Sequence, residues 1–425
     1  MFEIPRGTRD FTPEEMYKRR YVERLFRNVF ESYGYQEIQT PTFEHIELFL
    51  EKSGESVLDE IYEFTDKGDR HLALRPELTA PVMRMYVDQL QMEPKPLKLY
   101  YFGNCFRYDR PQKGRYREFL QAGCELIGTD TPEAIAELIS LSIDMLEKIG
   151  LQNIELQIGN LKLLSKVFDV LDLSSDQREL LLPCIDKEEF DDVEELLYDW
   201  EVQGGKIADF MNLLRTQDST ILYQLLDGDE ENKEEIKRLH DVTDLLRDQF
   251  SISDAMINMG IVRGLDYYTG IVFEVKAPAL GAEKQICGGG EYNLISLFGG
   301  RDLPTAGFAL GFDRTIIAMQ EEGVSFPKPR LDYFIIPFND EMISDAIFIV
   351  NTLRRSHDML CDMDLSRRGI GKALKYASSR NVSYAVILGP REMEERKITL
   401  RNMESGNQEE IDIDEFKNYP EKYQI

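Results

Sequence analysis

Histidine is scarce in this chain. Among 425 residues there are four, His45, His71, His240 and His357, and they fit no catalytic triad. Cysteine is equally sparse. Five residues, Cys105, Cys124, Cys184, Cys287 and Cys361, are odd in number and scattered. No CxxC or paired Cys/His spacing occurs, so neither a disulfide framework nor a structural zinc site is indicated. A reducing cytoplasm is the expected compartment. No apolar run is long enough to cross a bilayer, so no membrane association is expected. The opening MFEIPRGTRD carries no apolar signal segment, so export is not expected. Tryptophan occurs once, at Trp200, and is expected in the core. Basic residues are few against acids, 50 to 78, for a formal net charge of -28. That balance argues against nucleic-acid binding over the whole surface and leaves room for a local basic footprint.

What is present is ordinary for a soluble globular protein: 42% apolar and 30% charged residues. The length suits about two to three domains. Against the acidic background one stretch stands out, FRYDRPQKGRYREFLQAGCE at 106–125. Its first half holds Arg107, Arg110, Lys113, Arg115 and Arg117, with Asp109 the only acid among them. Asp109, Pro111 and Gly114 are turn residues between apolar runs, so two antiparallel strands joined by an arginine-rich loop are predicted. Alternation on the second strand sets Phe119, Gln121, Gly123 and Glu125 on one face. Leu120, Ala122, Cys124 and Leu126 then form an apolar core face. Guanidinium groups beside a phenyl ring suit a nucleoside polyphosphate, because Arg grips phosphate bidentately and the ring can stack on a base.

Elsewhere, Thr12-Pro13-Glu14-Glu15 reads as a capping box opening a helix that Gly34 ends, with a strand at 35–40. A hairpin is predicted from 61–66 and 71–74. Arg75-Pro76-Glu77-Leu78-Thr79 follows, with a helix starting at Glu77. A helix after Thr131 and a strand at 152–158 come next. Residues 161–250 are rich in Leu, Asp and Glu and poor in Gly and Pro, which reads as an inserted helical module. MGIVRGLDYYTGIVFEV at 259–275 brackets a polar-aromatic run with glycines, suggesting turns aimed at a ligand. Gly288, Gly289 and Gly290 permit close backbone approach or mark a plain bulge. A glycine-spaced strand at 307–311 runs into a helix with Arg314 at its start. Beyond Pro327, strands and helices alternate as in a small α/β domain.

The stretch 106–125 resembles the second signature motif of class II aminoacyl-tRNA synthetases, and RGLDYYTG resembles a motif of their histidyl-tRNA synthetase family; Leu78, where bacterial members usually have Gly, resembles an archaeal-like form. Residues 12–41 and 307–319 are similar to the first and third class II motifs. The resemblance implies an α+β catalytic domain on an antiparallel sheet, in two parts, 1–160 and 251–325. It adds the helical insertion at 161–250, near the tRNA acceptor arm, and an α/β anticodon-binding domain at 330–425. It implies ATP-dependent ligation of L-histidine to tRNA(His) through a histidyl-adenylate, with ATP as substrate, Mg2+ bridging its phosphates, and a homodimer.

By that resemblance Glu77, Leu78, Thr79 and Gln121 surround the α-amino group. Glu125 and Tyr268 recognise the imidazole, with Tyr267 and Tyr292 in the pocket wall. Arg107 and Arg263 meet the carboxylate or α-phosphate and are the catalytic pair. Phe119 stacks the adenine, and Arg115 and Arg314 hold the distal phosphates. Arg367, Arg368, Lys372 and Lys375 form a basic patch for tRNA on the domain's second helix. Where the family usually has Arg-Tyr-Asp after its glycines, this chain has Glu291-Tyr292-Asn293, and Glu291 and Asn293 receive no role. Two non-catalytic readings share the resemblance: a regulatory subunit of ATP phosphoribosyltransferase and an amino-acid sensor. A prolyl or threonyl ligase is a third alternative.

Overall fold

Thr12 and Glu15 close the predicted capping box, each accepting from the other's backbone N–H, and start the helix Pro13–Ser32. Its buried stripe includes Val22, Phe26 and Phe30. Phe30 stacks on Tyr100 at 4.8 Å and meets Phe308 at 6.1 Å, seating the helix on a sheet. The computed structural model describes residues 2–53, 58–110, 114–216, 218–262, 268–281 and 284–423. It divides into two units, Met1–Val324 and Ser325–Ile425.

The first unit is built on an eight-stranded sheet. Its spatial order is Gln36–Glu37, Leu97–Phe106, Glu118–Ile127, Thr305–Gly311, Gln285–Tyr292, Tyr268–Lys276, Glu155–Asn160 and Met256–Ile257. The two edge pairs are parallel and the rest antiparallel. The predicted strand at 35–40 shrinks to Gln36–Glu37. The carbonyls of Thr40 and Pro41 are taken instead by the buried Arg75 guanidinium, at 2.9 and 3.1 Å. Tyr62–Thr65 and His71–Leu74 pair as the predicted hairpin.

Register sorts the sheet into two faces. Glu125 lies opposite Gly307, and Gln121 opposite Gly103 and Gly311. Gly307 in turn lies opposite Gly290, and Ala309 opposite Gly288. Strand alternation therefore gathers glycines on the front face, leaving room above it. The back face carries Tyr100, Cys124, Phe308 and Phe273, which form the core beneath the helices.

The described residues of 161–249 form six helices between two sheet strands, Leu161–Val170 the first and Glu230–Gln249 the last. Leucines of these helices, including Leu164, Leu181, Leu213 and Leu239, are buried in the core. Trp200 is only half-buried, because it caps the helix Phe190–Asp199 instead of facing that core.

The second unit is a five-stranded sheet ordered Cys361–Met363, Leu331–Pro337, Val382–Leu388, Lys397–Asn402 and Gln408–Asp412. The first three strands are parallel and the last two antiparallel. Tyr333 and Ile335 pack with Ile349 and Leu353 of the helix Ile343–Ser356. The alternate residues Phe334 and Ile336 pack with Ala373 and Ala377 of the helix Ile370–Ser379. Period-two alternation thus puts one helix on each face.

Candidate active site

A cavity of about 720 Å³ lies over the glycine-rich front face. Ten residues singled out from sequence line it together: Glu77, Thr79, Arg107, Arg115, Phe119, Gln121, Glu125, Tyr268, Tyr292 and Arg314. Arg263 and Tyr267 lie outside the described residues. Leu78 does not line the cavity. It turns into the core with Val82, Met83 and Tyr86, because at the helix start it lies one turn before Val82 and shares that residue's inward face, about 100° from Thr79.

At the floor sits Glu125, 1% exposed. Tyr101 Oη donates to its Oε1 at 3.0 Å, and Tyr292 Oη donates to its Oε2. Burial pushes the Glu125 carboxyl up to about 8, while hydrogen bonds from Tyr292, Tyr101 and Thr79 pull the other way. Burial also raises both phenols well above their ordinary range. Gly307 is required beside this group, since a Cβ there would collide with Glu125 Oε2. The Tyr268 ring meets Tyr292 edge-on at 6.3 Å. The floor is therefore an acid between two phenols, a donor–acceptor array suited to a small polar ring.

Glu77 sits at the front of the short helix Thr79–Met85. Its carboxylate accepts from Thr79 N at 2.6 Å and Ala80 N at 3.1 Å. The predicted helix start at Glu77 moves to Thr79, with Glu77 serving as the acceptor before it. Arg75 is consumed below by carbonyls of Thr40, Pro41 and Asn104. An ideal Cβ on Gly103 would stand 2.5 Å from its Nη2, so Gly103 lets the guanidinium pass.

The arginines occupy the upper wall. Arg107 Nε donates to the Pro76 carbonyl at 3.0 Å, and its guanidinium lies 5.5 Å from the Phe119 ring centre. Arg314 spans two elements, with Nε on the Gly114 carbonyl at 3.1 Å and Nη1 on the Gln285 carbonyl at 2.8 Å. It pins the arginine loop to a sheet strand. Sequence reasoning missed Asp313, which is 4% exposed. It accepts from Arg9 at 2.7 Å, Arg19 at 2.5 Å and Leu120 N at 2.9 Å. Its partners lie 304, 294 and 193 positions away, so no local signal marks it. Tyr101 was also missed, although strand alternation opposite Gly123 could have placed it. Of the two departures from the expected motif, Glu291 proves to be buried on the back face and paired with Arg238 of the helical insertion.

The basic patch of the second unit is rearranged. Its helix begins at Ile370, so Arg367 and Arg368 precede it in a turn. Arg368 is bound to the buried Asp364 at 2.5 Å and lies over Tyr376 at 4.1 Å. Arg367 pairs with Asp340 at 2.8 Å on the surface. Lys372 and Lys375 are exposed on the helix.

Comparison with known proteins agrees with this architecture. Residues 7–315 match the histidyl-tRNA synthetase family model, and residues 332–422 match an anticodon-binding domain. A histidine–tRNA ligase of Methanosarcina acetivorans is 43% identical over 97% of each chain. One of Methanocaldococcus jannaschii is 42% identical over 99% of each. The crystal structure of apo S. aureus histidyl-tRNA synthetase superposes with a TM-score of 0.73 at 30% identity, covering 99% of both chains.

Proposed function

The chain belongs to the histidyl-tRNA synthetase family, and from that premise we propose how it joins L-histidine to tRNA(His) at the expense of ATP. One observation carries the reading. A buried acid between two phenols and a wall of arginines face the same cavity.

Histidine lies on the floor with its imidazole against Glu125 and Tyr268, and Tyr292 beside them. Thr79, Gln121 and Glu77 receive the amino group. Glu77 brings negative charge although its oxygens also serve two backbone N–H groups. ATP lies above, adenine on Phe119, with Arg115 and Arg314 on the distal phosphates. The histidine carboxylate attacks the α-phosphorus; the bond to the β-phosphate oxygen breaks and pyrophosphate leaves. The terminal ribose hydroxyl of tRNA then attacks the acyl carbon and AMP departs. Charge builds on the α-phosphate in the first step. Arg107, already held by Pro76, is preorganised there, and Arg263 is its proposed counterpart. Mg2+ prefers oxygen ligands and keeps some of its waters. The phosphates, with the Glu274 carboxylate on the cavity wall, would supply such donors.

Exposed Lys372 and Lys375, with Arg367, are the proposed tRNA contacts of the second unit. A homodimer is the assembly we favour. The strand Phe43–His45 joins the hairpin of Tyr62–Thr65 and His71–Leu74, and the exposed aromatic pair Phe43 and Phe64, 6.1 Å apart there, suits burial against a second copy. A cytoplasmic location fits five free cysteines.

Pyrophosphate exchange measured with each of the twenty amino acids tests the function. Exchange with histidine alone is expected. No exchange with any of them would favour a binding-only role.

A further inference from the structure

The ladder between the strands Gln285–Tyr292 and Tyr268–Lys276 shifts register at two places, between Gln285 and Cys287 and again between Gly290 and Tyr292. At the second, Gly290 lies opposite Val272, but Tyr292 lies opposite Tyr268. One residue, Glu291, therefore faces three, 269–271. Bulges bend a strand and redirect the side chains beside them. Here the bulge stands between the core ladder and Tyr268, and it sets Tyr268, in place of Gly270, across from Tyr292.

What holds the bulge is a side chain. Glu291 Oε2 accepts from Ile271 N at 2.7 Å, within the bulge itself. The carboxylate fits only because residue 270 is glycine, since a Cβ there would collide with Glu291 Oε2. Glu291 is 7% exposed, and its charge is met by Arg238 on the last helix of the insertion. Arg238 Nη1 reaches Oε2 at 3.0 Å and Nη2 reaches Oε1. Arg238 Nη2 also donates to the Asp130 carbonyl at 2.6 Å, and Nη1 to Glu235 at 3.3 Å. Glu235 is held in turn by Asn160 at 2.7 Å. A surface pair would contribute little, whereas this one is partly buried, bidentate and shared with the backbone.

We propose that Glu291 is a positioning residue for the amino-acid pocket, clamped by Arg238, so that the seating of the helical insertion sets the placement of Tyr268. The inference rests on the ligase reading above. Neither residue touches the cavity, so both act through the bulge. Loss of the strut displaces Tyr268 and leaves the arginine wall where it is.

The test is histidine-dependent pyrophosphate exchange by the full chain. Glu291→Ala and Arg238→Ala are each expected to raise KM for histidine about tenfold, with KM for ATP within twofold. Glu291→Gln keeps an acceptor for Ile271 N and loses the charge, so a smaller rise of about threefold is expected. It also serves if the alanine variant does not fold. The double variant R238A/E291A is expected to be no worse than either single change, because both break one device. Histidine and ATP KM rising together, additive effects in the double variant, or an unchanged histidine KM would each overturn the strut. Absence of exchange in the unsubstituted protein would instead overturn the ligase reading on which it rests.

Discussion

Glu125 concentrates the chemistry of the site in one carboxyl. Burial holds it up to about 8, against an ordinary 4.5, so it is protonated in the folded protein across a window where the unfolded chain would ionise it. The sign follows directly. Its contribution to stability is fully present below about 4.5 and is lost as pH rises through about 8. Each pKa unit corresponds to about 1.4 kcal/mol. Glu125→Gln removes the titration while keeping similar volume. We expect the melting temperature of the unsubstituted protein, relative to E125Q, to fall steadily between pH 5 and 8, as calorimetry at several pH values would show. A constant difference would mean the carboxyl is ionised throughout. Histidine-dependent exchange by E125Q should drop at least a hundredfold at every pH, since the amide cannot take the acid's place against an imidazole.

Elements decide which charges are available to a partner. The basic patch near 367–375 looked uniform in sequence, yet it divides where the helix begins. Asp364 has a side chain 1% exposed, and Arg368 neutralises it. Breaking such a pair from one side costs on the order of 3 kcal/mol, because the remaining charge stays buried. Arg368→Ala should therefore lower the unfolding midpoint of the second unit, read by denaturant titration. K372E/K375E should leave that midpoint unchanged. It should weaken tRNA binding with a shallower dependence on salt, because fewer counterions are released. Equal affinity for tRNA in K372E/K375E would remove this helix from the interface. The helix Pro13–Ser32 shows the opposite case. Its cap, its proline and its apolar spacing are all local, so its start was readable from Thr12 to Glu15 alone.

At the scale of the molecule, the chain carries the cavity over its glycine-rich sheet face within Met1–Val324 and a separately cored α/β unit in Ser325–Ile425. The two have distinct hydrophobic clusters, so removing the second leaves the first one's core whole. Deletion from Ser325 onward should leave histidine-dependent exchange within about threefold, while tRNA charging falls by more than tenfold. Charging that survives the deletion would show the second unit to be dispensable for RNA.

Periodicity and motif spacing determined much in advance: an arginine loop between two strands, the inward face of Phe119, Gln121 and Glu125, an inserted helical module, and a terminal α/β unit. These are properties of neighbours along the chain, set by alternation, capping and turn chemistry. Tertiary structure alone decided the rest. It paired Asp313 with Arg9 and Arg19, set Tyr101 and Tyr292 on the two oxygens of Glu125, turned Leu78 into the core, and joined Glu291 to Arg238. Each of those depends on sheet register and on which side chains share a buried space. Burial makes an unpaired charge or hydroxyl costly, and the partner that relieves it is chosen by proximity in space, across separations that local sequence does not encode.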